Sequence, residues 1–427
     1  MRINYQKYHW GLFGIILFRI LLDLNYVIII SKIFEYQGFY DQTTILNYLI
    51  SWVILLLPTH FILNQYSSKH IFFANAIVLL YLMAFLPGTS LMAFMPMKPA
   101  FFALYILYWF LIFFFAWSLK PLKSIALPAK IRKYPLYGFL AVFMLTVIYA
   151  SWKYTGFRIH FNLSDVYSLR YEARTWDMST LLSYFLPAAG SILPLLLVFF
   201  LFTKKKILAF SIAFVIFLDF SIAGHKSVLF KLFLVFLGYW LYNEKKISLY
   251  SWVLGFLSFY SILEFAIGGI HTMSGMVIRR VLYLPTLLDY HYYDYFSTHD
   301  FDYFRQSFLR HFGLASPYKD SITRIIGEEY FSNFETNANN GLFSDAYMNF
   351  GVVGTLIFPF LLVFLLRVMD SVSRRINPKL IILPIITTVL ALKSGTLSSV
   401  LLTGGILWMI ICLMLLPKDN ALKTNYV

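Results

Sequence analysis

Stretches of about 20 apolar residues, each long enough to cross a hydrocarbon layer, recur from one end to the other of this 427-residue chain. Few features restrict a fold more. In lipid, every backbone N–H and C=O must be satisfied within the protein, and isolated apolar segments do that only as helices. The expected fold class is therefore an all-α integral membrane protein with about 12 transmembrane helices. They are predicted over 9–31, 43–65, 71–95, 99–118, 136–153, 180–202, 207–222, 228–243, 247–270, 344–367, 380–393 and 399–416. Composition agrees: 60% of residues are hydrophobic and 13% charged, where a soluble domain is nearer half apolar and a quarter charged. Residues 1–427 are read as a single polytopic membrane domain, its first span a retained anchor.

The formal net charge of +15 suggests nucleic acid until its distribution is read. With a cytoplasmic N-terminus, the inner segments are 1–8, 66–70, 119–135, 203–206, 244–246, 367–379 and 417–427, and they hold most of the Lys and Arg. The short outer loops hold only Lys32, Lys98, Lys226 and Lys393. That asymmetry is the positive-inside pattern of a membrane protein with both termini cytoplasmic, and it calls for membrane lipids rather than nucleic acid as neighbours. The single cysteine, Cys412, lies inside an apolar run, so neither a disulfide framework nor a thiolate metal site is expected.

Two long outer segments, 154–179 and 271–343, break the pattern of short connections, and recognition is expected there. The first places Arg170 and Arg174 four residues apart, on one face if helical, with Asp165, Tyr167 and Glu172 nearby. The second places Arg279 and Arg280 at a membrane exit. Arginine offers a rigid fork of donors that fits phosphate oxygens, so the four together suit a membrane-embedded diphosphate. The plainer reading pairs them with Asp165, Glu172 and lipid phosphates. Lys226, in the turn Ala223–Ser227, could join an anion site or snorkel.

The run Asp289–Phe304, "DYHYYDYFSTHDFDYF", mixes rings and carboxylates as a sugar site does, or forms an interfacial aromatic belt. Asp300 and Asp302 within it are expected to be solvated rather than metal-binding. Asn337, Asn339, Asn340 and Asp345 are expected at the outer entrance of the 344–367 helix, where they suit a reaction mouth or, more plainly, an N-cap ahead of a close helix contact through Gly351 and Gly354. Arg19 and Asp23 are expected to neutralise one another, while Asp219 and Glu264 have no partner evident in sequence.

Three stretches, "DVYSLR" (Asp165–Arg170), "RRVLYLPTLLDYHYYDYF" (Arg279–Phe296) and "TNANNGLFSDAYMNFGVVG" (Thr336–Gly354), in this order and on one face, resemble the bacterial O-antigen polymerase (Wzy-type) family of oligosaccharide repeat-unit polymerases. The resemblance implies a GT-C-type glycosyltransferase with two large periplasmic loops. Such an enzyme polymerises undecaprenyl-diphosphate-linked oligosaccharide at the periplasmic face, without cofactor or metal. It implies that Arg170 and Arg174 hold the donor diphosphate, assisted by Arg279 and Arg280, with Lys226, Tyr167, Asn339 and Asn340 also at the substrate. A chain-length regulator (a co-polymerase) is a partner the resemblance allows. A base must take the acceptor hydroxyl proton. Asp345, Asp294 and His291 are the candidates. The related ligases carry a His near the place where Asn339 and Asn340 stand, which disfavours an O-antigen ligase. A flippase or transporter of lipid-linked oligosaccharide is disfavoured by the absence of a detectable repeat.

Overall fold

The computed structural model describes residues 5–66, 68–159, 166–224, 232, 249–307, 309 and 312–418; the side chains of Tyr167, Arg170 and Arg174 and the whole of Lys226 lie outside that description. Every regular element among the described residues is helical. Among the described residues, nine helices are long and apolar enough to cross a membrane: Tyr8–Ile33, Ile45–Gln65, Ile71–Phe94, Pro99–Ser118, Ile131–Thr155, Thr180–Phe202, Leu249–Gly268, Phe343–Ser373 and Leu397–Leu415. Each coincides with an expected span. Two further expected spans form the helices Lys206–Ala223 and Pro378–Ser394, outside those nine. The span expected over 228–243 lies outside the described residues apart from Leu232.

The chain divides into two compact units. The first comprises Met1–Pro121, Lys245–Arg367 and Leu392–Leu397. Here Tyr5–Asn25 packs along Leu249–Gly268, because the second helix turns Ser251, Gly255, Ser258 and Ser261 inward. Small side chains at this spacing let two backbones approach, and a Cβ added at Gly255 would stand 3.7 Å from the Phe18 backbone. Asn25 donates to the Ser258 carbonyl at 2.8 Å and accepts from Ser261 at 2.8 Å. Arg19 is fully buried. It pairs with Asp23 at 2.7 Å, as its spacing predicts, and also donates to Ser51 and Thr89. Glu264 accepts the Met273 N–H at 2.8 Å.

The second unit comprises Leu122–Glu244, Val368–Ala391 and Ser398–Val427. Its centre is Thr180–Phe202, continuously buried from Ala188 to Phe200 and packed by Ala129–Ala150, Lys206–Ala223 and Ile406–Leu415. Within each unit, segments assigned to one membrane face meet one another. Lys98 meets Asp294 and Gly341 meets Lys393 in the first unit; residue 125 meets 371 and 132 meets 416 in the second.

The helix Phe343–Ser373 is broken at Gly351 (φ 56°, ψ −133°), a conformation that suits glycine alone. A Cβ there would stand 2.5 Å from the Phe301 ring. The break frees backbone acceptors, and the loop of residues 301–304 fills one of them and adds a side-chain contact. Asp302 N–H donates to the Met348 carbonyl at 3.0 Å, and Phe304 N–H to the Asn349 side chain at 2.7 Å. Residues 343–349 are buried, whereas Val352, Val353, Leu356, Ile357, Phe360, Leu361 and Phe364 are 37% to 57% exposed. That stripe is the lipid-type face of a helix. It starts at Val352, so the expected 344–367 span begins with a protein-covered turn that its apolar residues disguise.

Candidate functional site

Two stretches of the first unit, far apart in sequence, converge on Asp289. It lies on the helix Leu284–Phe296, which turns Asp289, Tyr292 and Phe296 inward at helical spacing. One carboxylate oxygen of Asp289 accepts from the Asn340 amide at 2.9 Å, the Ser344 N–H at 3.1 Å and the Ser344 hydroxyl at 2.7 Å. Asn340 also donates to the Pro285 carbonyl at 2.8 Å. Tyr292 donates to the Ala338 carbonyl at 3.0 Å. Burial pushes the Asp289 carboxyl up to about 8, against the opposing pull of the Ser344 and Asn340 hydrogen bonds and the Lys393 charge. Lys393, expected to face outward in a short loop, is instead 3% exposed. Its ammonium donates to the carbonyls of Met83 and Val281. Burying a cation there requires these acceptors and the nearby acid.

Asp345 is the next buried acid, 1% exposed. One oxygen accepts from the Asn349 amide at 2.9 Å and the other from the Leu397 N–H at 2.6 Å. A cavity of about 10 Å³ adjoins it, lined by Tyr108, Gly395 and Leu397 among others, which is room for one water. Asn340 and Asp345 thus flank Ser344 inside the protein, while Asn337 and Asn339 point outward.

The other two candidate bases share the Leu284–Phe296 helix. Asp294 is half-buried; it accepts from Lys98 at 2.5 Å and from Tyr330 at 2.8 Å. Burial alone would raise its carboxyl, but these two donors outweigh burial and hold it below the usual range. His291 is 8% exposed and stacks on Tyr330 at 4.1 Å. Both ring nitrogens lack a partner among the described residues, and burial pushes the imidazole down to about 4. It stands neutral at physiological pH.

Arg279 and Arg280 lie on a π-helical stretch, Ser274–Tyr283. Arg279 donates to the Gln37 side chain and lies over the Phe34 ring at 4.6 Å; Arg280 is exposed. Arg170 and Arg174 lie one turn apart on the helix Val166–Arg174 of the second unit. Glu172 of that helix is paired with Arg158 at 2.7 Å. Lys226 lies outside the described residues.

One expectation is overturned outright. Asp302 is 1% exposed, not solvated. Its oxygens accept from the Gln306 N–H at 2.9 Å and the Ser316 hydroxyl at 2.7 Å. It thereby shapes an open hollow of about 490 Å³ lined by Arg305, Tyr318, Lys319 and Asp320 among others. A sequence reading passes over Asp289 because attention falls on the more numerous tyrosines. The available signal was an acid on the same helix face as Tyr292 and Phe296. Comparison of the chain with protein-family models, with curated proteins and with solved structures found no match.

Proposed function

We propose that this chain is a membrane glycosyltransferase that polymerises undecaprenyl-diphosphate-linked oligosaccharide repeat units at the outer face of a bacterial inner membrane. The observation that supports this most is a convergence. Two of the three stretches resembling the polymerase family, far apart in sequence, are joined through Asp289, Asn340 and Ser344. In this reading the buried cluster is a scaffold, since Asn340, Ser344 and one Asp289 oxygen are engaged with one another, and chemistry falls to the groups around it.

The acceptor sugar hydroxyl attacks the anomeric carbon of the growing glycan. The bond from that carbon to the diphosphate oxygen breaks, and undecaprenyl diphosphate leaves with the electron pair. Arg280, exposed on its π-helical stretch, supplies positive charge to the departing diphosphate, a role that the family resemblance also gives Arg170 and Arg174. The hydroxyl proton passes to a carboxylate. Of the three candidate bases, Asp294 is the one with a solvent-facing oxygen environment, with side-chain exposure of 30%.

The test is a gel of surface polysaccharide from a strain lacking the gene, with and without its restoration. A single-repeat band that becomes a ladder on restoration supports the reading. Lipid-linked polymer accumulating without transfer indicates a ligase, and lipid-linked single units trapped on the cytoplasmic leaflet indicate a transporter. Arg280→Ala and Arg170→Ala should each cut polymer formation by about 100-fold or more. Wild-type chain lengths in both variants, at equal protein level, would overturn the assigned roles.

A further inference from the structure

The second unit gathers cations at the face that the charge pattern assigns to the cytoplasm. Ile125 N–H donates to the Ser371 carbonyl at 3.1 Å. Arg132 donates to the Leu416 carbonyl at 3.1 Å, and Lys418 to the Val372 carbonyl. Three chain segments therefore meet where Arg132 and Arg375 each come within electrostatic reach of Lys418. Burial, with the charges of Arg132 and Arg375, pushes the Lys418 ammonium down to about 8. The nearby acid Asp370 is engaged by Arg374 at 2.9 Å. Among the described residues, no carboxylate pairs with Arg132, Arg375 or Lys418.

Part of this charge is met by carbonyls at helix ends, whose partial negative charge suits cations. The compensation is incomplete. Arg132 is 8% exposed, yet its Nε is buried without a partner, and so is the hydroxyl of Ser124. A buried guanidinium N–H normally has an acceptor. Arg375 is exposed. The apolar side chains of Ile125 and Ile131, 43% and 56% exposed, adjoin these donors along the same segments. A ligand that meets this surface carries an anionic oxygen group beside a hydrocarbon chain.

We propose that Arg132, Arg375 and Lys418, with Ser124, bind the phosphodiester of an anionic phospholipid, its acyl chains lying against Ile125 and Ile131. The apolar flank selects a lipid over free phosphate, and the excess of cations selects an anionic over a zwitterionic head group. The site does not depend on the proposed polymerase activity.

The test uses the full-length protein in a neutral detergent, probed by native mass spectrometry and thermal unfolding. Phosphatidylglycerol should be retained and should raise the midpoint of unfolding, whereas phosphatidylcholine should do neither. Arg375→Gln, at an exposed position, should weaken retention about tenfold. Arg132→Lys, which keeps the charge but loses the fork, should also weaken it. Several results would overturn the proposal. One is equal retention of phosphatidylglycerol by the wild type and both variants. Another is the same stabilisation by sodium phosphate at equal concentration, which would mark a free-anion site. A third is retention that appears only in Asp419→Asn, which would show that this residue, outside the described part of the chain, already neutralises the cluster.

Discussion

Asp289 and Asp294 stand on one helix, about 140° apart around its axis, in environments of opposite kind. Asp289 faces the protein interior, with three donors on a single oxygen and a carboxyl pushed up to about 8. Asp294 faces outward, shares its charge with Lys98 and Tyr330, and is held below the usual range. Burial is the difference, and burial disfavours the charged form. One helix therefore carries a carboxyl suited to holding a structure together and a carboxylate suited to meeting solvent or substrate.

The comparison breaks most visibly at the inner acid. Asp289→Ala should cost about 3–5 kcal/mol, because it strands the Asn340 and Ser344 donors in the interior. Chemical or thermal unfolding of the purified protein measures it, and a loss near zero would mean that the cluster is not a scaffold. A pH series sharpens the contrast. Folded Asp289 holds its proton to about 8, whereas the unfolded chain releases it near 3.8. The native state thus binds more protons across that interval, and the Asp289 contribution falls as pH rises. Between pH 6.5 and 8 the wild type should lose about 1–2 kcal/mol relative to Asp289→Asn. Parallel pH curves for the two proteins would refute this.

His291 gives the opposite sign. It is neutral in the fold down to about 4, while the unfolded chain takes a proton below 6.5. Its contribution is present above pH 6.5 and is lost as pH falls toward 4. His291→Phe, which keeps a ring against Tyr330, should remove that acid sensitivity; an unchanged acid limb would count against it. The smallest effect belongs to the outer pair. Lys98→Ala or Asp294→Asn should change stability by under about 1 kcal/mol, and less at high salt. A loss comparable with that of Asp289→Ala would erase the distinction.

Much of the helical layout was legible because hydrocarbon length and backbone satisfaction leave so few options. The nine apolar helices follow from run length, and the Arg19–Asp23 pair from its spacing. The candidate site was only partly legible. Asn340 and Asp345 were identified from their polarity, but as residues of an open mouth rather than of a buried cluster. Beyond the local contacts to Ser344 and Asn349, the partners of Asn340 and Asp345 come from residues 285, 289 and 397, and no local pattern encodes such distant contacts. Lys393 read as a residue of a short outer loop because its acceptors, two backbone carbonyls, have no signature in sequence. The break at Gly351 was equally hidden, since a glycine within an apolar helix reads as a packing contact.

That break bears on how the chain is assembled. A helix interrupted at the edge of a membrane exposes carbonyls that lipid cannot satisfy. The N–H that satisfies the Met348 carbonyl belongs to residue 302, which leaves the ribosome before the helix it serves. The partner is therefore already made when the broken helix is synthesised. Any rearrangement of the gene that moved this loop downstream of the helix would reverse that order.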